Sequence, residues 1–244
     1  MGALYSLSLL AVVGVALTAA ASEELEEHAG VATALSLAAA LLLLFVPDPV
    51  ELPFFTDLLS YSFMVLILSI SLLSAIYAHG YVESDRSRFF GLLCFFALGM
   101  AGSTASRNLV LFYVFWEFML IPSYLLIAHW AECPRERALS IATKYFIFTH
   151  LGGALMVVSI VTFYMAFHTF DLAQLKLIAA HEASWGLRLA CSLMAAGLAF
   201  KVAVYPLHVW LPDAHSEAPS PVSAMLSGLM VHVGVYMLVR TMQL

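Results

Sequence analysis

Two ionisable side chains of opposite charge lie inside apolar stretches of this chain. Lys201 lies within CSLMAAGLAFKVAVYPLHVWLP, and Glu117 lies near the middle of NLVLFYVFWEFMLIPSYLLIAHW. Each run is long enough to cross a bilayer as a helix, and a charge at the bilayer centre costs at least about 2.5–3.5 kcal/mol. Opposite charges on two helices lower this cost for each other when they line an ion or proton path. We therefore expect Glu117 and Lys201 to share such a path.

The proline that follows Lys201 is expected to break its helix. Pro206 lacks a backbone donor, and a broken helix at membrane depth exposes carbonyl groups that suit water or ions. Burial disfavours the charged ammonium whereas a nearby carboxylate favours it, so the proton affinity of Lys201 would be adjustable. His208 is two helical turns from Lys201 and is expected to face nearly the same way. The alternative is a lysine that extends to the membrane surface, although Lys201 lies far from both ends of its run.

Glu117 has a similar setting. Pro122 follows it in the same run and leaves the carbonyl of Phe118 without a helical partner, so the helix could kink there. Tyr113 and Tyr124 could join a hydrated cluster around the carboxylate. The alternative is a structural glutamate paired with a loop arginine, but Glu117 lies too deep to reach a loop easily.

Other residues are further candidates for a proton relay. His232 lies near the centre of the last apolar run, where a neutral imidazole costs less than a charge and can transfer a proton near pH 7. A packed, hydrogen-bonding histidine is the alternative there. Lys144 and His150 lie near the start of the run that contains TKYFIFTHLGG, and Lys144 is either a relay residue or an interfacial one.

No cofactor or metal is expected in this chain. Two membrane histidines could ligate a haem, but no pair lies at matched depth on spans that clearly face each other. The polar connector with Asp213, His215 and Glu217 favours a metal site only weakly. The three cysteines are scattered without metal spacing, which argues against a disulfide framework and an iron–sulfur site.

The composition is that of a polytopic membrane protein. The 244 residues are 63% hydrophobic and only 11% charged, and their mean hydropathy is +0.95. The net charge of −6 comes mostly from one short acidic segment at residues 23–27, and no basic patch exists. Nucleic-acid binding is therefore not expected.

The apolar runs predict an all-α membrane bundle of about eight transmembrane helices with a broken seventh helix. The stretch at about 168–186 predicts a short interfacial amphipathic helix with Leu172, Leu175 and Ile178 on one face. The first run has the length of a signal peptide but lacks Lys and Arg, which favours an uncleaved helix. The predicted spans are 2–21, 30–46, 55–79, 89–106, 108–130, 141–167, 187–210 and 219–242.

The orientation in the membrane follows only weakly from the basic residues. With the N-terminus outside, the inner loops would hold Arg86, Arg88, Arg135 and Arg137, and the outer side would hold the same number of basic residues. Arg86 with Arg88 and Arg135 with Arg137 lie close together in sequence, and this clustering favours the inner assignment of their loops.

Two long motifs resemble a known family. FYVFWEFMLIPSYLLIAHW and AFKVAVYPLHVWLPDAHSEAPSPVSAMLSGLMVHVGVYMLVR are similar to the proton-translocating membrane subunits of respiratory complex I and to their relatives in Mrp cation/proton antiporters and membrane-bound hydrogenases. The run TDLLSYSFMVLILSISLLSAIYA resembles the family's third span. Among the paralogues, WEFMLIPSYLL most resembles the M-type subunit.

The resemblance implies roles for individual residues. In the family, the glutamate of the fifth span and the lysine of the broken seventh span form one half-channel, and these match Glu117 and Lys201. The family's sixth-span lysine matches Lys144. A residue on the eighth span, usually lysine, connects to the next half-channel, and His232 stands there. That departure puts simple M-type identity in doubt.

Family members have about fourteen spans in two inverted five-helix repeats. This chain would hold three scaffold spans (1–80) and one half-channel repeat (81–244), which match the N-terminal part of such a subunit. We therefore expect a proton-translocating, multi-pass subunit of the inner cell membrane in an NADH:quinone oxidoreductase-like complex. Its partners would be lipid and other membrane subunits, including a second-half or homologous antiporter-like subunit. A sodium/proton antiporter subunit, an ion-pumping hydrogenase subunit and a non-transporting scaffold are the alternatives.

Overall fold

A computed structural model describes residues 28–44, 57–181 and 184–244, and these ranges are almost entirely helical. They contain no β-strand beyond one isolated bridge between Asn108 and Asp171. The last long helix is continuous over Ser220–Met242 and contains a π-helical turn at Leu226–Met230. The helices, in chain order, are α1 (Ala29–Leu43), α2 (Leu58–Tyr81), α3 (Arg86–Ala105), α4 (Leu109–Trp130), α5 (Arg135–Phe167), α6 (Leu172–Ala179), α7 (Trp185–Lys201), α8 (Leu211–Glu217) and α9 (Ser220–Met242).

The all-helical membrane fold is confirmed. Five of the described helices, α2, α3, α4, α5 and α9, are long and apolar enough to cross a bilayer. Helix α1 is a shorter apolar helix at the place of the second predicted span, and the first predicted span lies outside the described residues. The total of eight spans and the division near residue 80 stay predictions.

Helix α3 lies at the centre of the bundle. In its most apolar stretch 83% of the residues are buried, about twice the share in α2, α4 or α5. It contacts α1, α2, α4 and α9. The outer helices instead expose large apolar side chains on their far faces, which suits contact with lipid or with another membrane subunit. Examples are Leu73, Ile76, Val114, Ile121, Leu151 and Val158.

Helices α5 and α7 approach each other closely where glycines face each other. A Cβ on Gly197 would lie 2.6 Å from the carbonyl oxygen of Gly152, so only glycine fits at this crossing. Nearby, the hydroxyl of Ser159 donates a hydrogen bond of 2.6 Å to the carbonyl of Ala190. Small residues at membrane helix interfaces allow such close packing. The contact holds the end of α7 against α5.

The predicted break in the seventh span is confirmed, but its helical part is shorter than expected. The run predicted at 187–210 stops being a helix at Lys201, because Ala203 has a left-handed backbone (φ 57°) that ends the helical hydrogen bonding. A short 3₁₀ turn follows at Leu207–Trp210, and α8 follows that. The indole of Trp210 donates a hydrogen bond of 2.9 Å to the carbonyl of Phe200, which lies in the last turn of α7.

Helix α6 is the short amphipathic helix that the sequence predicts at about 168–186. Leu172 and Leu175 are buried, and Ile178 is half-buried, on its inner face. Asp171 caps this helix and accepts a hydrogen bond of 2.7 Å from Arg107, which links α6 to the connection between α3 and α4.

The start of α2 is tied to the end of α9 by a bidentate ion pair. Both terminal nitrogens of Arg240 lie 2.6 Å from the carboxylate of Asp57, and Arg240 also donates to Tyr236 and Ser60. The hydrogen bond from Arg240 lowers the pKa of Asp57 to about 2. A charge-assisted bidentate pair of this kind fixes both distance and orientation.

Candidate functional site: a buried lysine and its relay

Lys201 is fully enclosed by the protein. Its residue is 1% exposed, and its ammonium lies 5.6 Å from the ring centre of Trp116 and 5.3 Å from that of Tyr145. Its one hydrogen bond within the described residues goes to the hydroxyl of Tyr145 at 3.3 Å. This burial argues against the alternative in which the side chain of Lys201 extends to the membrane surface.

Tyr145 connects Lys201 to α4 and α9. Its hydroxyl is hydrogen-bonded to that of Ser123 at 2.7 Å and donates to the sulfur of Met230 at 3.1 Å. Met230 is the last residue of the π-helical turn in α9, a feature that is frequent at functional sites. A hydroxyl that accepts from an ammonium and donates onward can pass a proton between neighbours.

Ser123 lies directly after Pro122 in α4. Its hydroxyl bonds to the carbonyls of Met119 and Leu120 at 2.9 Å, while the helix continues through the proline to Trp130. In membrane helices, a serine hydroxyl beside a proline can hydrogen-bond to backbone carbonyl groups of the turn that the proline disturbs. The site therefore has a polar connection from α7 through α5 to α4.

Glu117 pairs with His150. Oxygen Oε2 of Glu117 lies 3.0 Å from Nδ1 of His150, and the imidazole stacks on Phe146. The other oxygen, Oε1, is buried and has no hydrogen-bond partner among the described residues. A side chain at Gly153 would collide with Oε1, and the hydroxyl of Tyr113 faces the same glycine. Gly153 thus leaves room for the carboxylate.

Within the described residues, Glu117 and Lys201 do not form a direct ion pair. The carboxylate of Glu117 pairs with His150, and the ammonium of Lys201 bonds to Tyr145. The Glu117 carboxylate is nevertheless near enough to interact electrostatically with both Lys201 and Tyr145. Trp116, the neighbour of Glu117 in sequence, places its ring against the ammonium. The two charges therefore interact across an aromatic and hydroxyl layer. The alternative, a pairing of Glu117 with a loop arginine, is not seen among the described residues, where the partner of Glu117 is His150.

Lys144 lies at the edge of the site. It forms an ion pair of 2.7 Å with Asp213 of α8, and both side chains are partly exposed. Arg137 forms a second pair of 2.7 Å with Glu217 at the end of α8. These two contacts hold α8 against α5. The relay role predicted for Lys144 stays a prediction, and its position favours the interfacial alternative.

The two remaining candidate histidines, His208 and His232, form no hydrogen bond with Lys201 among the described residues. His208 is half-buried and stacks on Tyr205, and its Nδ1 is buried without a hydrogen-bond partner in the described part of the chain. The argument from helical spacing was wrong for His208, because α7 ends at Lys201. His232 is exposed on the outer face of α9. Within the described residues, no hydrogen bond joins His232 to Lys201, Tyr145 or Ser123.

Sequence reasoning missed Tyr145, Ser123 and Trp210. All three are buried, and Trp210 packs on the ring of Tyr145 at 5.2 Å. Tyrosines and tryptophans are common in membrane cores as packing residues, so their types alone gave no indication of a role. The adjacency of Ser123 to Pro122 was the one available clue.

The comparisons with known proteins agree with this architecture. A family model described as "NADH:quinone oxidoreductase/Mrp antiporter, TM" matches residues 106–244. A second, described as "NADH-Ubiquinone oxidoreductase (complex I), chain 5 N-terminus", matches residues 48–90.

Curated relatives include the NAD(P)H-quinone oxidoreductase subunit 5 of the Chara vulgaris chloroplast. It is 35% identical over 199 residues, which are 78% of this chain and 30% of that protein. The chloroplast protein of the same name from Carpenteria californica is 34% identical over 203 residues, 80% of this chain and 27% of that protein. The chain thus spans less than a third of the length of these relatives. These relatives are named subunit 5 and not as M-type subunits, so the predicted similarity to the M-type subunit stays a prediction.

Solved structures with a similar fold include a chain of respiratory complex I from Thermus thermophilus with bound aureothin. The TM-score is 0.81 at 28% identity, and the match covers 96% of this chain and 52% of that one. A chain of the Mrp complex from Dietzia sp. DQ12-45-1b gives a TM-score of 0.86 over 97% of this chain and 28% of that one, and its 24% identity supports the fold alone. Since the first family model covers more than half of its residues, this multi-pass membrane chain belongs to the NADH:quinone oxidoreductase/Mrp antiporter transmembrane family.

Proposed function

We propose that this chain is a proton-translocating membrane subunit of an energy-converting oxidoreductase of the NADH:quinone oxidoreductase type. The observation that carries the proposal is Lys201, a buried ammonium at a helix break whose hydrogen bond leads to Tyr145 and Ser123. A charged group at membrane depth marks an ion or proton path. The Glu117–His150 pair supplies a second titratable centre beside it.

In this proposal Lys201 exchanges its proton in response to the charge at Glu117. When electron transfer elsewhere in the complex changes the field at the Glu117–His150 pair, the pair takes up a proton from water or releases one to it, so the net charge of the pair and its attraction on Lys201 change. Charges about 8 Å apart at an effective dielectric of about 20 interact by about 2 kcal/mol, roughly thirtyfold in proton occupancy. That is enough to load and unload the lysine. Tyr145 and Ser123 would carry the proton across the layer that separates the two charges.

The described helices supply one half of a path across the membrane. Residues 81–244 would form the half-channel, and residues 1–80 would support it. His232 would receive the proton at the outer face of α9 and pass it to a second-half or homologous antiporter-like subunit, which fits its exposure. Lys144 and His208 would transfer protons at the end of the half-channel that opens to water. The chain would work in the inner cell membrane, and redox cofactors would reside in partner subunits.

The proposal is tested by redox-driven proton uptake in sealed vesicles that contain the assembled complex with Lys201→Met. We expect the pH gradient to be lost while assembly, judged by copurification of the partner subunits, is retained. Lys176→Met is the matched control, because Lys176 is an exposed lysine on α6. A normal gradient with Lys201→Met would refute the relay role and favour a non-transporting scaffold.

A cation/proton antiporter subunit is the second candidate, because the matching family description names Mrp antiporters. Sodium would then bind near the carbonyls that the break after Lys201 leaves exposed. Activity that needs sodium and continues without an electron donor would favour the antiporter. Proton uptake that needs the electron donor and is indifferent to sodium would favour the oxidoreductase.

A further inference from the structure

A cleft of about 480 Å³ opens on the surface of the protein at the junction of α3, α4 and the start of α5. None of the residues that line it belongs to the Lys201 relay. Its rim holds the cationic side chains Arg88 and Arg135 together with His129. Asp85 is the one carboxylate at the rim, and Arg88 lies 3.8 Å from it. The rim therefore carries two guanidinium groups and an imidazole against one acid.

The walls of the cleft follow two helix faces that run from the rim toward the membrane interior. On α3, Leu92 and Phe95 lie one and two turns beyond Arg88, a rise of about 10 Å. On α4, Leu125 lies one turn inward of His129. Ile121 continues this face one turn further and is 55% exposed. Each face thus has a basic group at the helix end and apolar side chains at depth.

The rim also has the features of a membrane–water boundary. Trp130 lines the cleft, donates to the carbonyl of Ser84 at 3.4 Å and packs edge-on against Phe89. Tryptophans of this kind are enriched at the level of the lipid headgroups. Two other arginines at this end have partners within the chain, since Nη2 of Arg86 contacts Nδ1 and the carbonyl oxygen of His79 and Arg137 forms an ion pair with Glu217. Arg135 has no ion-pair partner among the described residues.

We propose that this cleft binds one anionic phospholipid, with its phosphate between Arg88 and Arg135 and one acyl chain along Leu92, Phe95 and Leu125. The charge of the rim complements an anionic headgroup, and the apolar walls suit an acyl chain. Basic pockets between transmembrane helices bind anionic headgroups in this way. A soluble anion would use the rim and leave the apolar walls in contact with water. The proposal does not depend on the translocation function.

The test is native mass spectrometry of the full chain, purified and delipidated in detergent and then titrated with dioleoylphosphatidylglycerol, dioleoylphosphatidylcholine or glycerol 3-phosphate. We expect the phosphatidylglycerol to bind at least about tenfold more tightly than the phosphatidylcholine. The double variant Arg88→Gln/Arg135→Gln should remove most of this preference. The control double variant Lys176→Gln/Arg188→Gln removes two exposed cations elsewhere on the chain and should keep it.

Leu92→Trp is an independent test of the acyl-chain contact, because the larger side chain fills the cleft and leaves the charges of the rim unchanged. It should lower phosphatidylglycerol binding about tenfold if an acyl chain occupies the walls. The conservative double variant Arg88→Lys/Arg135→Lys should restore part of the preference. Equal binding of the two lipids, equal losses in both glutamine double variants, full competition by glycerol 3-phosphate, or unchanged binding in Leu92→Trp would each overturn the proposal.

Discussion

At the scale of single residues, the chemistry of the site depends on Tyr145. Its hydroxyl is the hydrogen-bond partner of the Lys201 ammonium and the link to Ser123 and Met230. The phenol can accept from the ammonium form and donate to the amine form. It therefore stabilises Lys201 in both states and keeps the lysine from becoming an unpaired buried charge.

We predict that Tyr145→Phe slows redox-driven proton uptake about tenfold, since a hydrogen bond to a charged group is worth about 1.5 kcal/mol or more. Initial rates of vesicle acidification in the assembled complex measure the effect. Tyr164→Phe is the matched control, because Tyr164 lies on the same helix as Tyr145, is 45% exposed and stacks on Phe170 through its ring. Equal rates in the two variants would show that the Tyr145 hydroxyl carries no proton.

At the scale of helices, the relay is held in place by the α5–α7 crossing at Gly152 and Gly197. We predict that Gly197→Ala lowers stability by about 1–3 kcal/mol, because its Cβ would meet the Gly152 carbonyl and Met156. Thermal unfolding in detergent measures this loss. Gly80→Ala is the control, since nothing lies within 4 Å of a Cβ there. A Gly197→Ala protein as stable as wild type would show that the crossing is looser than described.

The ion pair between Asp57 and Arg240 predicts a dependence of stability on pH. Arg240 lowers the folded-state pKa of Asp57 from 3.8 to about 2, so the stabilisation is fully present above about pH 4 and is lost as the pH falls toward 2. Asp57 is partly exposed, so we expect about 1 kcal/mol after solvent screening.

The comparison of wild type with Asp57→Asn isolates this contribution, because asparagine can keep the helix cap while losing the charge. We expect wild type to unfold at higher temperature than Asp57→Asn at pH 7, and the difference to shrink as the pH is lowered from 4 to 2.5. A difference that stays constant with pH would mean that the charge of Asp57 contributes nothing.

At the scale of the whole molecule, the sequence predicted the helical membrane fold, the amphipathic helix α6 and the break after Lys201. Runs of apolar residues, a proline and a buried charge carry that information locally. The side chains that surround Lys201 were not predictable, since Tyr145 and Trp210 come from other segments and a uniformly apolar helix does not show which face turns inward. For the same reason, the exposure of His232 and the ion pair of Lys144 with Asp213 became apparent only in three dimensions.

The central claim is that Glu117 and Lys201 exchange protons through water and hydroxyl groups inside the bundle. A high-resolution electron cryomicroscopy map of the assembled complex in lipid nanodiscs tests it most directly. We predict ordered water that connects the Glu117 carboxylate, beside Gly153, with the Tyr145 hydroxyl and the Lys201 ammonium. A map in which apolar side chains pack without water between the two groups would contradict the account.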